Sequence, residues 1–192
     1  MLNIKVIVGS TRQGRFSEKV LPWVTAELDK NEDISYEVLD LRDWDLPFYN
    51  EPMSPATVKN GDYPNEVVRK LAVKINEADT FLVIAPEYNH GYSAVLKNAF
   101  DSVYSEWNRK AIGFVSYGSV GGGRAVEQLR QVAVELQMAP IRNAVHIQSP
   151  WNLLDDSGHL KEGALDSYTH SLGSVIDQLR WWGIALKEAR NK

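Results

Sequence analysis

The chain has 192 residues with 21 basic and 25 acidic side chains, giving a formal net charge of −4. Hydrophobic residues make up 44% and charged residues 24%, which is typical of a globular protein and argues against a disordered chain. The sequence contains no cysteine, which excludes disulfides, thiolate metal sites, iron–sulfur clusters and a cysteine nucleophile. The length predicts one domain over 1–192.

The charges are interspersed along the chain, so we expect no surface for nucleic acid or for an anionic membrane. The apolar N-terminal segment is interrupted by Lys5 and lacks the three regions of a signal peptide. The apolar stretches are far shorter than the roughly 18 residues that a membrane helix needs. These features predict a cytoplasmic protein.

The first predicted strand is Ile4–Val8, which is rich in β-branched residues. Apolar residues recur every four positions over 16–28 and predict a helix after it. Pro22 lies inside this helix and removes one backbone hydrogen bond, so it predicts a bend or a late start. A second strand is predicted at Ser35–Leu41.

The next segment, Leu46–Pro64, holds four of the eight prolines and shows no periodicity. A connection this long is uncommon in a compact domain unless it is functional or disordered. Two interpretations stay open at this point. The segment is either a surface excursion packed against the sheet or a wall over a ligand site.

The rest of the chain continues the alternation of strand and helix. Helices are predicted at 68–78, 93–107, 126–136 and 165–186, with Asn65 and Ser93 as N-caps of the first two. The remaining strands are predicted at Thr80–Ala85, Ala111–Ser116 and Ala144–Gln148. Five successive βα units predict an α/β fold with an open, doubly wound parallel sheet.

Ligands of such sheets bind at the carboxyl ends of the strands. The first strand is followed by a loop that opens a helix, where backbone amides and the helix dipole favour an anion. In this loop Arg12 and Arg15 can fork onto phosphate oxygens, and Ser10 and Ser17 can donate hydroxyls. The loop does not match the P-loop pattern, because Arg15-Phe16 stands where Lys-Ser/Thr is required. The loop favours a terminal phosphate monoester bound without metal, with a flexible turn as the alternative.

Two further loops follow the third and fourth strands. The loop from Pro86 to Ser93 offers aromatic rings and the Asn89 amide, which suit a planar heteroaromatic with a polar edge. The loop from Ser116 to Arg124 is rich in glycine and permits close approach of backbone to a ligand. An N-capped turn and a mobile glycine loop are the respective structural alternatives.

No set of catalytic side chains stands out. The four histidines are scattered without metal-ligand spacing, and no Ser/His/Asp arrangement is evident. We therefore predict no catalytic residue and no metal site. If the chain is an enzyme, its reactive chemistry belongs to a bound cofactor.

Taken together, the three loops resemble the NAD(P)H-dependent FMN reductase family, which includes flavin, quinone, azo-dye and chromate reductases. The matching motifs are GSTRxGR at 9–15, PEYNHGYSxxLKNA at 86–99 and YGSxGG at 117–122. The resemblance spans about 3–148 and implies a flavodoxin-like fold with strand order 2-1-3-4-5. It also implies FMN as cofactor, and NADPH or NADH as electron donor. One departure is Ser102-Val103-Tyr104, where relatives often carry Trp beside the preceding Asp. It concerns the shape of the substrate mouth.

The resemblance assigns three groups of residues to FMN. They are Ser10, Arg12, Arg15 and Ser17 for the ribityl phosphate, Pro86, Glu87, Tyr88 and Asn89 for one side of the isoalloxazine ring, and Ser116, Tyr117, Gly118 and Gly121 for the other. Family members dimerise or tetramerise through the helix after the second loop, here about 93–107. The resemblance therefore implies a homodimer or homotetramer.

The leading hypothesis is an FMN-dependent NAD(P)H oxidoreductase that transfers hydride through the flavin to a small-molecule acceptor. The acceptor would be a quinone, free flavin, an azo compound or a metal oxyanion. A flavodoxin-like electron carrier or FMN-binding module without its own turnover is the alternative, although carriers tend to be strongly acidic. A non-flavin nucleotide-binding enzyme is a third possibility, and the missing Lys-Ser/Thr pair counts against it.

Overall fold

The computed structural model describes residues 1–192. Its centre is a five-stranded parallel sheet in the order β2-β1-β3-β4-β5. The strands are β1 (Leu2–Val8), β2 (Ile34–Asp40), β3 (Thr80–Pro86), β4 (Ala111–Gly118) and β5 (Ala139–Gln148). The helices are α1 (Ser17–Leu28), α2 (Glu66–Glu77), α3 (Ala94–Ser102), α4 (Gly123–Glu135) and α5 (Asp166–Arg190). The predicted fold class and strand order are confirmed.

Helices cover both faces of the sheet. α2, α3 and α4 pack on one face around a cluster of 24 buried hydrophobic residues, and α1 and α5 pack on the other around 22. The central strand β3 is buried along its whole length, which explains why its sequence is an unbroken apolar run. None of the helices combines the length and the apolar character needed to cross a membrane.

α1 begins at Ser17 and continues through Pro22 to Leu28, so the predicted late start is wrong. Proline costs a helix interior about 3 kcal/mol. The fully buried side chains of Val20 and Val24, one on each side of the proline, keep the helix against the sheet. Burial of an apolar face therefore outweighs the missing hydrogen bond.

α3 ends at Ser102, earlier than the helix predicted over 93–107. The amide of Tyr104 donates to the hydroxyl of Tyr63 at 3.1 Å, a group 41 positions away, and Ser105–Trp107 forms a separate 3₁₀ turn. Val103 and Trp107 are still buried, as their spacing predicted. The apolar spacing thus predicted burial correctly but not the end of the helix, which coincides with the hydrogen bond from Tyr104 to Tyr63.

β5 begins at Ala139, five positions before the predicted start at Ala144. Pro140 lies in this extension, and proline is tolerated because β5 is an edge strand that leaves one row of amides unpaired. Alternating exposure of its side chains hid the strand from a search for apolar runs.

The segment 46–64 is a surface excursion held by α3. The Asn98 side chain accepts from the amide of Tyr49 at 2.9 Å and donates to the carbonyl of Pro47 at 2.9 Å. The excursion lines most of a cavity of about 460 Å³, to which α2 contributes Val68 and α3 contributes Ser102. That cavity shares no lining residue with the cavity described below, so the excursion does not line that second cavity within this chain.

Candidate functional site

The loops after β1, β3 and β4 meet at the carboxyl edge of the sheet, where the switch from β1 to β3 opens a crevice. The hydroxyls of Ser10 and Tyr88 lie 2.7 Å apart, and the Ser93 hydroxyl donates to the Gly9 carbonyl at 2.5 Å. A cavity of about 270 Å³ lies between the loops. It is lined by Arg12, Gly14, Arg15, Phe16, Glu87, Tyr88, Tyr117, Gly118, Pro150, Trp151 and Leu154.

The first loop presents a row of unused hydrogen-bond donors. None of the backbone amides from Ser10 to Phe16 donates a hydrogen bond within the protein. The loop leads into the N-terminus of α1, where the dipole adds positive potential. The Ser17 hydroxyl at the first residue of α1 is fully buried and makes no hydrogen bond of good geometry. Buried polar groups are rarely left without a partner, so this arrangement fits an oxyanion such as a phosphate monoester.

The two arginines of this loop differ in their surroundings. Arg12 is exposed and its side chain makes no ion pair or hydrogen bond. Arg15 is buried and forks onto Asp40, with Nη1 2.6 Å from Oδ1 and Nη2 bonded to Oδ2. It also donates to the carbonyl of Ser10 and to Glu18. In the structure both terminal nitrogens of Arg15 thus bond Asp40. The predicted contact of Arg15 with a phosphate stays a prediction.

The second loop contains a tight turn. Tyr88 and Gly91 exchange backbone hydrogen bonds of 2.9 and 3.1 Å around Asn89 and His90, which have positive φ values of 50° and 69°. The amides of Asn89 and His90 at the tip of this turn donate no hydrogen bond. They are exposed donors beside the cavity, suited to the polar edge of a flat ring.

Glu87 is not a free base. Its side chain is only 3% exposed, and Arg124 at the start of α4 donates to it from Nε at 2.7 Å and from Nη2. Burial alone would raise the pKa of Glu87, but the bonds and charge of Arg124 and the first amides of α4 hold that pKa below its usual range. Its own amide donates to the carbonyl of Tyr117 at 2.9 Å, which ties the second loop to the third.

The third loop uses its small residues for internal packing. The Ser116 hydroxyl lies 2.7 Å from the carbonyl of Gly121 and 2.8 Å from Nδ1 of His146. Gly122 has a φ of 79° and would bring a Cβ within 2.7 Å of Ser116 Cβ. Of this loop, Tyr117 and Gly118 reach the cavity. The glycines at 121 and 122 allow the chain to approach itself closely, and the predicted approach of this loop to a ligand stays a prediction.

Tyr117 adds a second buried hydroxyl that makes no hydrogen bond of good geometry, although the hydroxyls of Ser17 and Ser10 lie near it. Its ring meets Phe16 edge-on at a centroid distance of 5.4 Å. Burial raises the pKa of Tyr117 to about 12, and the nearby hydroxyls of Ser17 and Ser10 only partly oppose this shift. The phenol therefore stays protonated at neutral pH and can serve as a hydrogen-bond donor.

The comparison with known proteins shows the family of this chain. Residues 2–152 match the protein family described as NADPH-dependent FMN reductase. The chain belongs to this family. The resemblance predicted from the three loops is confirmed, and the family member is an enzyme with FMN and NAD(P)H as cofactors.

The names of individual relatives agree with the assignment of this chain to the FMN reductase family. An NAD(P)H-dependent FMN reductase of Schizosaccharomyces pombe is 41% identical over 146 residues, covering 74% of this chain and 72% of the relative. A 2-hydroxy-1,4-benzoquinone reductase of a Burkholderia species is 30% identical over 189 residues, covering 94% and 96%. The solved structure of FerB, a flavoenzyme NAD(P)H:(acceptor) oxidoreductase of Paracoccus denitrificans, has a TM-score of 0.72 at 22% identity. It covers 94% of this chain and 98% of FerB, and it supports the fold.

Sequence reasoning missed several residues that lie at or beside this candidate site. Asp40 at the end of β2 and Arg124 at the start of α4 pair with residues of the first and second loops, and Trp151 lines the cavity. Asp40 had one available signal, because it ends a strand at the same edge of the sheet. Trp151 follows β5 in a 3₁₀ turn and had no such motif around it.

One prediction concerns the third loop. Gly122→Ala should lower the free energy of unfolding by about 2 kcal/mol, because alanine disfavours positive φ and its Cβ would overlap the buried Ser116. Gly123→Ala is the matched control, since no atom lies within 4 Å of its added Cβ. It should change stability by less than about 0.5 kcal/mol. Urea unfolding of both variants measures the difference, and similar values would contradict the packing role of Gly122.

Proposed function

We propose that the chain forms one domain over 1–192 that holds FMN at the carboxyl edge of the sheet and transfers reducing equivalents from NAD(P)H to a small-molecule acceptor. The observation that supports this placement most is the row of unpartnered amides from Ser10 to Phe16 beside the buried, unpartnered hydroxyl of Ser17. With the exposed Arg12, these groups supply neutral donors and one free cation for the ribityl phosphate.

The isoalloxazine ring would lie between the second and third loops. The contributing residues are Pro86, Glu87, Tyr88 and Asn89 on one side, and Tyr117 and Gly118, with Ser116 and Gly121 behind them, on the other. Support comes from the cavity between these loops and from the free amides of Asn89 and His90. Preorganised donors of this kind stabilise negative charge that develops on a ring during reduction.

Bound FMN supplies the hydride-accepting and electron-donating chemistry of the reaction. The residues of the chain bind, orient and exclude water. Glu87 is held ionised by Arg124, and Tyr117 keeps its proton, with a pKa of about 12. Neither exchanges a proton easily at neutral pH, which supports a mechanism without a side-chain acid or base.

For the acceptor we propose quinones first, with free flavin, azo compounds and metal oxyanions as further candidates. The name of the Burkholderia relative supports a quinone. We also propose a cytoplasmic homodimer or homotetramer that associates through α3, on the strength of the family resemblance. Light scattering coupled to gel filtration tests the oligomeric state, and a monomer would contradict it.

The test of the proposed function uses the protein loaded with FMN and freed of excess flavin. Under anaerobic conditions, NADPH should bleach the yellow absorbance, and added 1,4-benzoquinone should restore it. A protein that retains no FMN would contradict the proposed site. A protein that retains FMN but is not bleached by NADPH or NADH would instead be an electron carrier.

A further inference from the structure

A network of charged side chains lies behind the first loop, on the side of β2. We call it the loop brace and define it as Arg15, Glu18, Asp40 and Arg42. Asp40 is the last residue of β2, and its carboxylate accepts the fork of Arg15 and the amide of Arg42 at 3.0 Å. Arg42 bonds Glu18 at 2.7 Å, and Arg15 bonds it at 3.3 Å. The network therefore ties the end of an edge strand to the start of α1.

The loop brace also binds the backbone of the first loop. Arg15 donates to the carbonyl of Ser10, and Arg42 donates to the carbonyl of Arg12 at 3.0 Å. Asp40 contacts both of these arginines, since it accepts from the guanidinium of Arg15 and from the backbone amide of Arg42. Two alternate peptide units of the loop are thereby fixed on one side.

This fixation has a consequence for the amides. All peptide bonds of the chain are trans, so the carbonyl of one residue and the amide of the next point in opposite directions. The loop brace binds the carbonyls of Ser10 and Arg12. The amides of Thr11 and Gln13, which belong to the same peptide units, therefore point away from the loop brace. These amides are among those without a partner in the protein. Neighbouring backbone amides with free N–H groups can bind an anion.

We propose that Asp40 and Arg42 are positioning residues for the cofactor phosphate, and that the loop brace presets the amides of Thr11 and Gln13 before FMN arrives. The inference rests on the proposed function, in which this loop holds the ribityl phosphate. It gives Arg15 a structural partner in Asp40, so that most of its charge is compensated. Arg12 is then the side-chain cation left for the phosphate.

The test compares FMN with riboflavin, which lacks the phosphate. Dissociation constants of both flavins are measured by quenching of flavin fluorescence for the wild type, Asp40→Asn and Arg42→Gln. Each variant should weaken FMN by about fivefold and riboflavin by less than about twofold, since only the phosphate uses the preset amides. Arg42 is partly exposed, so its variant stays informative if Asp40→Asn fails to fold.

Asp33→Asn is the matched control, because Asp33 pairs with Arg180 on the surface and makes no contact with the loop. It should change neither constant. Equal losses for FMN and riboflavin would overturn the positioning role, and tighter FMN binding would show that a released Arg15 is the better phosphate ligand. If the wild type itself binds FMN no more tightly than riboflavin, the proposed phosphate site fails rather than the loop brace.

Discussion

Replacing Arg124 with methionine is expected to lower the free energy of unfolding by about 3 kcal/mol at neutral pH. The physical reason is the carboxylate of Glu87, which is 3% exposed and loses its only cation in the variant. Removal of the guanidinium leaves this buried charge with only backbone amides of α4, such as that of residue 124 at 3.2 Å from Oε2, to compensate it. Urea unfolding measures the loss. Glu87→Gln combined with Arg124→Met should recover most of it, because the charge is then gone as well.

The same variant should show a distinct pH dependence. In the wild type the pKa of Glu87 is lowered, so the stabilisation is complete above the unfolded pKa of about 4.3 and is lost as the pH falls through the folded value. Without Arg124, burial raises this pKa and the carboxyl can take up a proton. The deficit of the variant should therefore shrink as the pH falls from about 7 to about 4. A deficit that does not depend on pH would indicate lost packing instead.

Arg180→Met serves as the control for this prediction. Arg180 and Asp33 are each 44% exposed, and such surface pairs contribute about 0.5 kcal/mol. A loss for Arg124→Met no greater than that for Arg180→Met would contradict the buried character of the Glu87 pair.

The second large effect concerns Arg12. Arg12→Ala should raise the dissociation constant of FMN about tenfold or more, because a hydrogen bond to a charged group contributes roughly 1.5–3 kcal/mol. Riboflavin should be much less affected, since it offers no phosphate to the guanidinium. Fluorescence quenching with both flavins measures the two constants.

Lys30→Ala controls for the change in net charge. Lys30 lies beyond the far end of α1, pairs with Glu27 and is 63% exposed. We expect its removal to leave FMN binding within about twofold of the wild type at physiological salt, where such distant charges are screened. Equal losses of FMN and riboflavin in Arg12→Ala would place Arg12 outside the phosphate site.

Local signals in the sequence predicted much of the fold. Asn65 and Ser93 cap α2 and α3 as their residue types indicated, with Asn65 accepting the amide of Val67 at 2.8 Å. The strands predicted at 4–8, 80–85 and 111–116 correspond to β1, β3 and β4, which are the three central strands of the sheet. The edge strand β5 was recognised only in part, because its alternating exposure gives a weaker pattern.

The pairing of charged side chains could not be predicted in the same way. Arg15 and Asp40 are 25 positions apart, and Glu87 and Arg124 are 37 positions apart. Nothing in the spacing of these residues distinguishes a guanidinium that faces a ligand from one that faces a carboxylate. The same limit applies to α3, whose end is set by the hydroxyl of Tyr63 far away in the chain.

By itself the sequence determined the alternation of strands and helices, the order of the loops and the family, because periodicity, caps and motifs are properties of neighbouring residues. Only the tertiary structure decided which donors stay free at the carboxyl edge. Arg15 is bonded to Asp40 while Arg12 and the amides of the first loop remain available. The reason is physical: a buried donor bonds whichever acceptor the fold brings within reach, and that acceptor comes from another part of the chain.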